Sequence, residues 1–92
     1  MKIDIDGLGV FMREVVKTVE EKTDHYGNNF DDIASRWSDR LNADITAKDV
    51  ALMMADMKMT RMNKDKDNED SFKDLIGYLI IYGFANLDKK DQ

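Results

Sequence analysis

The segment TAKDVALMMADMKMTRM, residues 46–62, decides how the rest of the chain must be arranged. Thr46 and Asp49 stand at the spacing of a capping box, in which a threonine hydroxyl caps a helix and the acid three residues on reaches back to the cap's N–H. No proline or glycine interrupts the segment, so the spacing predicts a helix from there to about Met62. At 100° per residue Val50, Met54 and Met57 fall on one side and Ala51, Ala55, Met59 and Met62 on another. A helix apolar nearly all round has to be covered on more than one side.

The covering elements are read on either side of it. Residues 63–70, NKDKDNED, form a charged loop, after which Ser71 or a neighbouring acid is expected to cap a helix whose core side is Phe72, Leu75, Ile76 and Leu79. Upstream, Asn42-Ala43-Asp44 breaks a helix that carries Phe30, Ile33, Ala34, Trp37 and Leu41 on one stripe and an Asp32/Arg36 pair outside. Tyr26-Gly27-Asn28-Asn29 reads as a turn, with His25 marking a helix end just before it. The first helix carries Leu8, Phe11, Met12, Val15, Val16 and Val19 opposite Arg13, Glu14, Lys17, Glu20 and Glu21. Residues 1–7 are expected to be an arm and residues 86–92 a polar tail. The expected fold is therefore all-α, one small four-helix bundle-like domain over residues 1–92. The apolar residues of the central helix and of Leu79-Ile80-Ile81-Tyr82 face more than one direction, and homodimerisation, or a dimer of dimers, would cover them.

Composition agrees and excludes several functions. Ninety-two residues with 42% hydrophobic and 36% charged side chains make one globular domain, and the lack of any proline favours helices over a turn-rich sandwich. A formal charge of -5 argues against a direct nucleic-acid partner or an anionic membrane surface. The longest nearly apolar run, residues 75–85, is about half a membrane span, and MKIDID at the start is no signal peptide, so the expected address is the cytoplasm. Without cysteine there are no disulfides, thiolate metal sites or cysteine nucleophiles, and His25 alone supports no triad or histidine metal site. No Gly-rich phosphate loop and no GxSxG is present.

The remaining chemistry lies on the last two helices. Asp49 and Asp56 are seven residues apart and share a stripe; Asp70 and Asp74 share another, followed by Gly77 and Tyr78. Two facing acidic stripes would offer the hard oxygen ligands that Mg²⁺ takes together with substrate phosphates. The competing reading makes Asp49 and Asp70 dipole-stabilising acids at helix starts and pairs Asp74 with Ser71 in a capping box. Asp56, in mid-helix, has no such role and calls for a cationic, metal or solvent partner. Lys58 and Arg61 are candidates for phosphate oxygens, or for ion pairs with a neighbouring helix. Trp37 and Tyr78 either stack a base or pack, and the methionines are either core filler or an adaptable surface. Asn63, Asp65, Asp67, Glu69, Ser71 and Asp74 fall in an EF-hand register, although Asn68 replaces the glycine and Asp70 the apolar residue that such a calcium loop uses.

The segments Tyr26-Gly27, Asn29-Phe30, Ile33-Ala34, Trp37-Ser38, DVALMM at residues 49–54, Lys58, Arg61, Asp70-Ser71, Asp74 and Gly77-Tyr78 together resemble a family of small phage and prophage proteins. These in turn look like shortened relatives of the MazG-like all-α nucleoside triphosphate pyrophosphohydrolases, dimeric or tetrameric bundles whose EExxE and ExxD acids bind Mg²⁺. Asp70 and Asp74 stand where the ExxD helix would be, at a spacing of four, and Asp49 and Asp56 take the place of a full EExxE. The resemblance implies a degenerate site in the cytoplasm of a bacterial host. There Asp49, Asp56, Asp70 and Asp74 would hold Mg²⁺ while Lys58, Arg61 and Tyr78 meet a nucleoside triphosphate, and an active site of this kind would cut the triphosphate to monophosphate and pyrophosphate by attack of a metal-bound water on the α-phosphorus. The alternative is a non-enzymatic acidic helical protein that engages a host or phage protein, an expectation that rests on the thin catalytic inventory and the negative charge.

Overall fold

A computed structural model describes the backbone of residues 1–26 and 29–90 and the side chains of residues 1–22 and 29–84. Four helices follow one another: α1 Ile5–Tyr26, α2 Asn29–Leu41, α3 Ala47–Lys64 and α4 Glu69–Lys90. The fold is all-α, as expected, and no helix among the described residues is long and apolar enough to cross a membrane.

α3 starts where the capping box places it. The Thr46 hydroxyl accepts from the Asp49 N–H at 3.1 Å, and the Thr46 N–H and hydroxyl donate to the Asp49 carboxylate at 2.9 and 3.0 Å. The Thr46 N–H, then its hydroxyl, hold the Asp49 carboxyl below its ordinary range. At the other end the Asp65 N–H closes on the Arg61 carbonyl at 3.0 Å.

Three boundaries differ from the sequence expectation. α1 begins at Ile5, so the arm is shorter than residues 1–7; the Leu8 N–H already donates to the Asp4 carbonyl at 2.8 Å. α4 begins at Glu69 because Asn68, not Ser71 or an acid, caps it, accepting the Ser71 N–H at 3.0 Å. Ser71 is buried instead. The same helix continues to Lys90, through most of the expected tail, since no glycine or proline follows Gly83 to stop it. The turn at residues 27 and 28, the His25 side chain and residues 91–92 lie outside the described residues.

The EF-hand register does not survive this geometry. Only residues 65–68 separate α3 from α4; Asn63 belongs to α3, and Glu69, Ser71 and Asp74 belong to α4. A twelve-residue loop that encircles the ion is therefore not formed, and Asp74, the position of the bidentate ligand, is paired with Lys58 and Lys22.

The short loop makes α3 and α4 an antiparallel hairpin, with Lys58 opposite Asp74 and Lys48 over the Tyr82 ring. Ala51 and Ala55, both buried, leave α3 room to approach closely, and this is the most extensive helix pair. α1 runs parallel to α4: Phe11 stacks on Phe72, Glu14 pairs with Lys73 at 3.0 Å, and Val19 lies against Gly77. α2 folds back on α3 through Asn42, whose φ of 48° suits asparagine, and through Ser38, whose hydroxyl accepts from the Ile45 N–H and donates to its carbonyl. Phe30 then brings the start of α2 edge-on to Tyr78 of α4.

The bundle is open. Its radius of gyration is 14.8 Å, against about 12 Å for a tightly closed chain of this length. Among the described residues, the buried apolar side chains are those of Val15, Ala34, Val50, Ala51, Ala55 and Tyr78. Leu52 and Met59 of α3, and Phe72 and Leu79 of α4, are exposed. By the hairpin register Leu52 comes level with Leu79 and Met59 with Phe72, so one face of the hairpin is an apolar row.

The contacts at Gly77 and in the Thr46–Asp49 box bear directly on stability. A Cβ at Gly77 would meet Val19 and Thr18 at 3.7 and 3.9 Å, an ordinary contact. Gly77→Ala should therefore stabilise the helix by about 0.5 to 1 kcal/mol, whereas Gly77→Leu should push α1 off α4 and lower the melting temperature. Thr46→Ala should cost about 0.5 to 2 kcal/mol in a denaturant titration. Because the folded state depresses the Asp49 pKa, the box contributes fully above the ordinary carboxylate range and is lost as pH falls through the lowered value. Asp49→Asn should accordingly melt with a shallower dependence on acid pH than the parent chain.

Candidate functional site

Three helices deliver charged side chains to one point. On α4, Asp74 and Tyr78 are one turn apart on the side between α1 and α3. The antiparallel register brings Lys58 of α3 to Asp74, Nζ to Oδ2 at 3.0 Å. The parallel packing of α1 brings Lys22 to the other carboxylate oxygen at 3.6 Å. Lys22 Nζ also donates to the Tyr78 hydroxyl at 3.3 Å and lies 4.5 Å from the centre of its ring. The side chains of Lys22 and Lys58 are 14% and 13% exposed and that of Asp74 is 25% exposed. Among the described residues, two largely covered ammonium groups thus share one carboxylate. Two cations with three donors each exceed what a single carboxylate can neutralise, so the cluster is suited to an anion with several oxygens.

Tyr78 is 5% exposed. Phe30 meets its ring edge-on with centroids 6.3 Å apart, and Lys22 covers it as well. Its part is to hold Lys22 through the hydroxyl and the ring, and it offers no open face to a base.

Of the residues singled out from sequence, Lys58, Asp74 and Tyr78 come together. The others do not join them. Arg61 is exposed in the last turn of α3. Asp49 is engaged in the capping box at the far end of the hairpin. Asp56 is exposed, and Asp70 is exposed in the first turn of α4. In an antiparallel hairpin Asp70 lies level with the end of α3, about 20 Å along the axis from Asp49 at 1.5 Å per residue. Among the described residues no three or more His, Asp or Glu side chains are grouped where they could hold a metal ion. The donor set therefore does not fit Mg²⁺ held by four aspartates, because one of them answers two lysines and the rest are spread along the hairpin.

Lys22 was not singled out, although a sign of it was present. It follows Val15 and Val19 at i+7 and i+3, so it continues the stripe that α1 buries against α4. A lysine on a buried stripe needs a counter-charge, and Asp74 supplies it.

Depressions lined by described residues lie away from the cluster. A polar cleft of about 630 Å³ at the corner of α2 and α3 is lined by Asp31, Ser38, Asp39, Asp44 and Lys48 among others, and by no member of the cluster. Trp37 is half-buried and lines a shallow hollow with Arg40, Leu41 and Met53.

No curated protein and no solved structure matches the chain. A family profile described as a domain of unknown function (DUF6378) matches residues 11–85, a span that holds Lys22, Lys58, Asp74 and Tyr78. With more than half of its length matched, the chain belongs to that family.

Proposed function

We propose that this chain binds a nucleoside phosphate through Lys22 and Lys58, which Asp74 and Tyr78 hold while the site is free. The observation that carries the reading is the convergence of two covered lysines from α1 and α3 on a single carboxylate of α4. The resemblance to phage proteins and to MazG-like nucleotide enzymes supplies the nucleotide. The proposal is one of binding. Cleavage would call for carboxylates that hold a metal and activate a water, and the aspartates here are dispersed.

In a thermal-shift screen against nucleoside mono-, di- and triphosphates, a ligand at a hundred times its dissociation constant should add about 2.7 kcal/mol. Lys58→Gln and Lys22→Gln should each weaken that binding about tenfold or more, the loss of one charge-assisted contact. A screen that is flat for every nucleotide would overturn the reading.

A separate observation supports self-association. Leu52, Met59, Phe72 and Leu79 are exposed on one face of the hairpin, and Ile76, Leu79, Ile80, Gly83 and Phe84 line an adjoining shallow groove. The core of the single chain is small, and a second copy presenting the same row by a two-fold axis would bury both. Light scattering on purified protein should give the mass of two copies, and Leu79→Lys should give one copy with unchanged helical content. A wild-type monomer would contradict this and leave the face to a different protein.

A further inference from the structure

The cluster lets the binding reading be taken one step further, and the step rests on that reading. We infer that phosphate binding here is independent of divalent cations. Lys22 and Lys58 occupy the ground a metal would need, and Asp74 is the internal counter-ion that the phosphate displaces.

Asp74 is the one of the four candidate aspartates that stands beside a covered lysine, and it is met by Lys58 at 3.0 Å and Lys22 at 3.6 Å on separate oxygens. A divalent cation drawn to that carboxylate would lie within a few ångströms of two ammonium groups and be repelled by both. Asp49, Asp56 and Asp70 stand too far along the hairpin or too exposed to complete an oxygen shell around it. A phosphate meets the opposite situation. Its oxygens accept from the same ammonium groups that Asp74 now holds, so ligand and carboxylate compete for one set of donors. Asp74 then keeps the two lysines in place while the site is free and weakens phosphate binding by doing so.

This assigns Asp74 an effect opposite in sign to that of a metal ligand. If Asp74 held Mg²⁺, removing its charge would abolish binding. As a competing counter-ion, its removal strengthens binding.

The test uses the full chain with inorganic pyrophosphate and a nucleoside triphosphate as probes, titrated in EDTA and again in excess Mg²⁺. The expected result is binding in EDTA at least as tight as in Mg²⁺, with Asp74→Asn tightening it about tenfold, the effect of one competing charged hydrogen bond. Binding seen only with Mg²⁺ would overturn the inference while leaving the nucleotide reading standing. Loss of binding in an Asp74→Asn chain that melts like the parent would do the same. Absence of binding by either probe in both conditions would overturn both. Should Asp74→Asn fail to fold, the comparison of EDTA with Mg²⁺ on the unaltered chain decides alone.

Discussion

The antiparallel pairing of α3 with α4 sets the position of everything else in this molecule. A loop of residues 65–68 leaves no other arrangement, and Ala51 and Ala55 let the two helices close on each other. Once residue 58 lies opposite residue 74, Asp49 and Asp70 are carried to opposite ends of the hairpin. The register that builds the Lys58–Asp74 pair is thus the one that disperses the acids. α1 completes the site because it runs parallel to α4 and ends its buried stripe on Lys22 opposite Tyr78.

Helix starts and stripes were legible where a local interaction sets them. The Thr46–Asp49 box was read as it stands, since both partners lie within four residues. Asn68 was missed as a cap because it sits inside a run of charged residues, where Ser71 and the acids competed for the same role. The grouping of functional residues was legible in part. Lys58, Asp74 and Tyr78 were each recognisable by residue type, but only the register shows that they meet while Asp56 and Asp70 turn to solvent. The spacing within α1 puts Lys22 on the buried stripe, but its meeting with Asp74 depends on the parallel packing of α1 on α4, a long-range contact.

The openness of the bundle and its charge cluster have a common origin. With α1 and α3 meeting α4 from different sides and α2 resting mainly on α3, little apolar volume is enclosed, and the junction between α1, α3 and α4 is filled by two lysine stems instead of aliphatic side chains. Lysine suits that position because its stem packs while its ammonium group reaches Asp74 or an incoming anion. The apolar row left on the opposite face of the hairpin is the counterpart, since the residues that could have enclosed more core point away from it.

The central claim is that Lys22 and Lys58 together receive a phosphate. The most direct measurement is nuclear magnetic resonance of the lysine side-chain ammonium groups while inorganic pyrophosphate is added. The account predicts that the Lys22 and Lys58 signals move first and saturate together, at concentrations that leave exposed lysines such as Lys64 and Lys66 unmoved. Equal, unsaturating shifts over all lysines, or movement confined to the exposed ones, would contradict it.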